Sequence, residues 1–133
     1  MFDIVILTDH RYIKPKKPDW YTQQVLDEDR LLTTALEENG LKVCKKDWAD
    51  NKFDWTTTKY AIFRTTWDYF DRFDEFFNWL ENTKTKTTFI NSAEIINWNI
   101  DKHYLKDLSN KGINIAPTIF VKNSNKITLA ELF

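Results

Sequence analysis

The sequence predicts an α/β domain, a three-layer α/β/α sandwich around a mainly parallel sheet of four to five strands. Two observations carry that prediction. Short apolar, β-branched runs alternate with segments of helical period, the pattern of strands joined by covering helices. The only two glycines, Gly40 and Gly112, stand at the junctions ENG-LKV and NKG-INI, where a left-handed residue ends a helix and a strand follows. Crossovers between parallel strands are expected to be right-handed. At 133 residues the chain is one domain with a single core.

Phe2–Leu7 (FDIVIL) reads as the first strand, ending in the polar loop Thr8-Asp9-His10-Arg11-Tyr12. Pro15 and Pro18 keep the next stretch irregular, and the Lys14–Lys17 run within it reads as a solvated loop. Asp19 can cap a short helical piece, but the clearer helix starts near Asp27, with Asp27, Glu28 and Asp29 in its first turn. Leu31, Leu32, Ala35 and Leu36 are its expected buried stripe. Leu41–Cys44 is the second strand, and Asp47–Trp55 a loop turning at Asp50-Asn51. The third strand is the apolar run Tyr60–Phe63, buried on both faces. Phe73, Phe76, Phe77 and Leu80 then recur at i, i+3, i+4 and i+7, an amphipathic helix.

Thr87–Ile90 is a short fourth strand, followed by a helix from Asn91-Ser92 to Trp98. A last helix is capped by Asp101, with Ile100 and Leu105 at staple spacing, and stops at Gly112. Ile113–Val121 contains Pro117, which suits an edge strand or an exit from the sheet. Asn123-Ser124-Asn125 marks a turn. Thr128 and Glu131 have capping-box spacing and announce a helix at the end of the sequence. The expectation is that this chain is the front part of something longer.

Composition removes several function classes. The net charge is −1 with both signs interspersed, unlike the basic face of a nucleic-acid binder. Two glycines leave no GxGxxG or P-loop. His10, His103 and the lone Cys44 lack metal-ligand spacing, so no metal site is expected. Cys44 lies in a strand pattern and reads as a small buried side chain. No apolar run approaches the ~20 residues of a membrane span, and no signal peptide is evident. A cytoplasmic protein is expected.

The stretch KYAIFRTTWDYF carries the densest chemistry. A buried strand runs straight into Arg64, Thr65, Thr66, Trp67, Asp68 and Tyr69, on a strand-to-helix loop. Ligands of open α/β sheets bind outside the carboxyl ends of the strands, and this set can fix a small polar molecule there. The structural alternative is a local Arg64–Asp68 pair, with Trp67 and Tyr69 covering the sheet. Lys102 follows the cap Asp101, where helix N–H groups favour anions, and it reads either as a phosphate contact or as a solvated lysine.

FRTTWDYFDRFDEFFNWL and INSAEIINWNIDKHYLKDLSNKGINIAPTIF, together with ILTD and EDRLLTTAL, resemble the N-terminal region of bacterial ATP-grasp proteins of the glutathione-synthetase-like or RimK-like group. Enzymes making D-cycloserine fall near this group. The resemblance covers nearly the whole chain. It implies a Rossmann-like pre-ATP-grasp domain over 1–121, with 122–133 starting the connection to an ATP-grasp domain. It further implies an ATP- and Mg2+-dependent carboxylate–amine ligase working through an acylphosphate. No cofactor is expected on this fragment, which should be inactive alone, and self-association is open to it. The resemblance makes Lys102 an ATP-phosphate contact and turns Asp9, Arg64, Thr66, Trp67 and Asp68 toward a carboxylate or amino-acid substrate. No residue is assigned as catalytic. A free-standing, non-catalytic α/β binding module is the alternative.

Overall fold

The computed structural model describes residues 1–121 and 127–131. Its contacts divide into two compact units, Met1–Ala93 and Glu94–Phe133. The first unit holds strands β1 (Phe2–Thr8), β2 (Val43–Asp47), β3 (Thr58–Thr65) and β4 (Thr88–Ile90), with helices α1 (Trp20–Glu38) and α2 (Phe73–Thr83). All pairings are parallel and the strand order is β2-β1-β3-β4. From β1 the chain steps one way through α1 to β2, and from β3 the other way through α2 to β4. Right-handed crossovers therefore put the two helices on opposite faces. Neighbouring residues of β3 agree: Arg64 reaches Glu28 of α1, while Phe63 meets Phe76 and Trp79 of α2. The α/β class and three layers stand, and the described residues hold four strands.

Central β1 is the most buried element, with Ile4 to Leu7 nearly closed to solvent, as a strand flanked on both sides and both faces must be. β3 is less enclosed than expected, since Tyr60 is exposed. On the α2 face, Trp48 is fully buried against Phe76 and Trp79, and Phe63, Trp55 and Phe89 complete the ring cluster around Trp79. The α2 stripe is thus Phe76, Trp79, Leu80 and Thr83. Phe73 and Phe77 instead stack on each other at the surface.

Several local expectations shift. Helix α1 begins at Trp20, where Asp19 accepts from Thr22 N at 2.7 Å and caps it; Asp27, Glu28 and Asp29 lie inside the helix. Its inward side chains are Val25, Asp29, Leu32 and Leu36, while Leu31 and Ala35 face out. β2 runs Val43–Asp47, later than Leu41–Cys44, because Leu41 belongs to the helix terminus. There Leu41 N donates to Leu36 O and Gly40, at φ +79°, to Glu37 O. This is a Schellman closure that needs the glycine's left-handed freedom. Cys44 is half-buried, and burial raises its thiol pKa.

Helix α3 (Ala93–Asn99), which starts on the last residue of the first unit, is joined by a turn to α4 (Tyr104–Asn110) of the second. Asp101 Oδ1 accepts from His103 N at 2.9 Å in that turn, ahead of the helix it was expected to cap directly. Trp98 Nε1 donates to Asp107 at 2.9 Å, and Gly112 at φ +76° repeats the closure seen at Gly40. Residues 113–121, a candidate edge strand, form no strand. Thr128 N and Oγ1 donate to Glu131 at 2.7 and 2.8 Å, so the capping pair forms on a single 3-10 turn. The turn expected at Asn123-Ser124-Asn125 lies outside the described residues. Among the described residues no helix is long and apolar enough to cross a membrane.

Candidate functional site

The direction of the chain connections reverses between β1 and β3, which makes their carboxyl ends the topological switch point where open α/β sheets bind ligands. Register places Thr65, Thr8 and Asp47 side by side at this edge. The Thr8 and Thr65 hydroxyls are 2.5 Å apart, and Asp9 N donates to Thr65 O at 3.0 Å, tying the two strand ends together.

Asp9 is fully buried and caps the turn His10–Tyr12. Its Oδ1 accepts from Arg11 N and Nε, both at 2.9 Å, and its Oδ2 from Arg11 Nη2 at 2.6 Å. That pairing holds the Arg11 guanidinium pKa above its ordinary value. Asp68 is likewise buried: Oδ1 accepts from Trp48 Nε1 at 2.7 Å and Oδ2 from Arg72 Nη1 at 2.9 Å. His10 Nδ1 lies 3.8 Å from Oδ2. Arg72 also forks onto Glu75, the main cause of its raised pKa, and lies over the Trp48 ring. Thr66 is buried beside this corner. Trp67 stands at the rim with Tyr12 edge-on at 5.7 Å and Tyr21 tilted at 6.2 Å. Burial raises the Tyr12 pKa.

Arg64 goes elsewhere. It belongs to β3 itself, and its Nη2 meets Glu28 at 2.7 Å while Nε lies 3.9 Å from Asp29. Asp29 is closed to solvent and also pairs with Lys45. The local Arg64–Asp68 pair considered from sequence is therefore not formed: the two residues have separate partners, tied to opposite helices. Lys102, in the second unit, is exposed with its ammonium 5.7 Å from the Tyr104 ring centre.

The edge thus gathers Asp9, Thr66, Trp67 and Asp68 from the sequence-predicted set and adds Arg11, Asp47 and Arg72. Arg11 was visible in the loop after β1 as the second residue past Asp9. Asp47 escapes the sequence pattern because the apolar run at Leu41–Cys44 marks a strand that ends before it, whereas β2 extends to Asp47. Its carboxyl pKa is raised, chiefly by burial and further by the Asp68 charge, against the Ala49 N–H that donates to it at 3.0 Å. Among the described residues no group of three or more His, Cys, Asp or Glu is placed to hold a metal.

Comparison with known proteins gives one consistent result. Residues 4–91 match the family model described as D-cycloserine synthetase DcsG, N-terminal domain. The cycloserine biosynthesis protein DcsG of Streptomyces lavendulae is 34% identical over 90 residues, 68% of this chain and 30% of that protein. The crystal structure of D-cycloserine synthetase DcsG superposes with a TM-score of 0.70 at 26% identity, over 86% of this chain and 35% of that one. The chain thus spans about a third of the length of these relatives.

Proposed function

The chain belongs to the D-cycloserine synthetase N-terminal domain family, and from that premise we propose that it is the substrate-side domain of an ATP-dependent carboxylate–amine ligase. The observation that carries the proposal is the polar edge at the β1/β3 switch point, where Thr66, Trp67, Asp9 with Arg11, and Asp68 with Arg72 converge. A partly exposed aromatic face beside fixed guanidinium groups suits a small amino acid or other carboxylate. The chemistry in such a ligase is activation of the acid as an acylphosphate by ATP with Mg2+, followed by attack of an amine. This chain's part is to hold and orient the acid. Lys102, an exposed ammonium of the second unit, is this chain's proposed contact to an ATP phosphate. The rest of the nucleotide site and its metal are proposed for an ATP-grasp domain of the whole ligase, in a cytoplasmic, RimK-like arrangement.

Phosphate release from ATP by the native gene product containing this chain, assayed against a panel of amino acids, tests the reading. Release that requires one acid and one amine supports it. A product that releases no phosphate with any pair, yet binds a protein partner, supports the non-catalytic module instead. The chain by itself should bind ATP no better than millimolar, about −4 kcal/mol. Micromolar binding in calorimetry would move the nucleotide site onto this domain.

A further inference from the structure

Three arginines stand near the carboxyl edge of the sheet, and two are engaged within the fold. Arg72 holds Glu75 through Nε and Nη2 and Asp68 through Nη1. Arg64 turns to Glu28 on α1. Arg11 is different. Its Nε and Nη2 lie on the two oxygens of Asp9, its guanidinium carbon stands 5.6 Å from the Tyr12 ring centre, and among the described residues no hydrogen bond engages its Nη1. The Arg11 side chain is 51% exposed while that of Asp9 is 0%.

A carboxylate sealed in this way touches no ligand directly. It can act only through the cation it holds. A guanidinium has five N–H donors in a rigid plane. With Nε–H and one Nη2–H on Asp9, the Nη1 pair and the outer Nη2–H remain as a flat two-pronged donor, fixed by a partner with almost no freedom to move. This is the geometry that pairs with a planar two-oxygen anion. The fork follows directly after β1, on the same turn as Tyr12, which supports Trp67.

We propose that Arg11 is the carboxylate-binding side chain of this site and that Asp9 is its positioning residue. The proposal rests on the reading of this edge as the substrate side. It differs from the sequence expectation, in which Asp9 and Arg64 face the substrate themselves.

The test is a titration of the 15N-labelled chain with acetate, following the Arg11 Nε–H signal and the amides of Thr66 and Trp67. A saturable millimolar shift at Arg11 is expected. Arg11→Lys should weaken acetate by about tenfold or more, since it keeps charge but loses the fork. Movement of the Thr66 and Trp67 amides without Arg11 would overturn the proposal and leave the substrate-edge reading standing. No movement at any of the three would remove both. The signal in unmodified protein keeps the test valid if the lysine variant folds poorly, and a folded Arg11→Lys chain that binds acetate as tightly as the parent also overturns it. Inorganic phosphate is the second arm: tighter binding of phosphate than acetate would give the fork to a nucleotide and contradict the carboxylate assignment.

Discussion

On the α2 face of the sheet, Trp48, Phe63, Phe76, Trp79 and Phe89 meet ring to ring. On the α1 face, the buried side chains of the helix are Val25 and Asp29, and Asp29 meets Lys45 and Arg64 of the strands. One face closes by apolar burial and the other partly by charge. Ring clusters gain from burial without any exact partner. A buried carboxylate persists only while its cations stay in place. The α2 face should therefore tolerate small shifts, whereas the α1 face depends on a few fixed contacts.

The largest expected effect is on the ring cluster. Trp48→Ala removes a fully buried indole and the donor to Asp68, and should cost about 3–5 kcal/mol in chemical denaturation. A loss below about 1 kcal/mol would mean that the α2 face is not the core. Asp29→Ala comes next, at roughly 2 kcal/mol, below the range for a sealed pair because Lys45 and Arg64 keep some water contact. Asp29→Leu sharpens the point: recovery of most of that loss would show that the charge contributes specificity more than stability.

Arg64→Lys should cost less than about 1 kcal/mol, because Glu28, the partner it loses, is 67% exposed. A melting-temperature drop equal to that of Asp29→Ala would make Arg64 the keystone of the α1 face. In the proposed ligase, a raised Michaelis constant for the acid with that for ATP unchanged would instead place Arg64 on the substrate.

The smallest effect is pH-dependent. Asp47 has its folded-state pKa raised above the ordinary 3.8, so its contribution favours folding below that value and is lost as pH rises through the folded pKa. Asp47→Asn keeps an acceptor for Ala49 N–H and removes the charge. It should stabilise the fold at pH 7 by less than about 1 kcal/mol after solvent screening, seen as a slight rise in melting temperature, and leave stability unchanged below pH 3.8. A destabilised Asn variant at pH 7 would contradict burial as the cause of the raised pKa.

The same contrast explains what the sequence disclosed. The α2 period, the parallel sheet implied by alternation and both glycine terminators were legible because burial and backbone sterics leave periodic marks. α1 was misread because its inward face carries Asp29, and a carboxylate at a core position looks like a surface residue until its partners on β2 and β3 are known. Phe73 and Phe77 misled in the opposite sense, keeping the helical period while stacking at the surface. The site was legible by topology and only partly by residue. Asp9, Thr66, Trp67 and Asp68 reach the β1/β3 edge, but both carboxylates are buried against arginines, and of the two cations Arg11 is the half-exposed one. Which oxygen meets which guanidinium depends on contacts that spacing does not encode.

The most direct test of the account is where a small amino acid perturbs this chain. The α1 face offers a competing groove of about 340 Å³, lined by residues including Leu26, Asp29, Thr33, Glu37 and Lys45. Backbone amide shifts with a small amino acid such as glycine should concentrate at residues 8–12 and 65–68 if the β1/β3 carboxyl edge is the substrate side. Shifts confined to residues 26–37 and 45 would put the ligand on the charged α1 face and contradict the central claim.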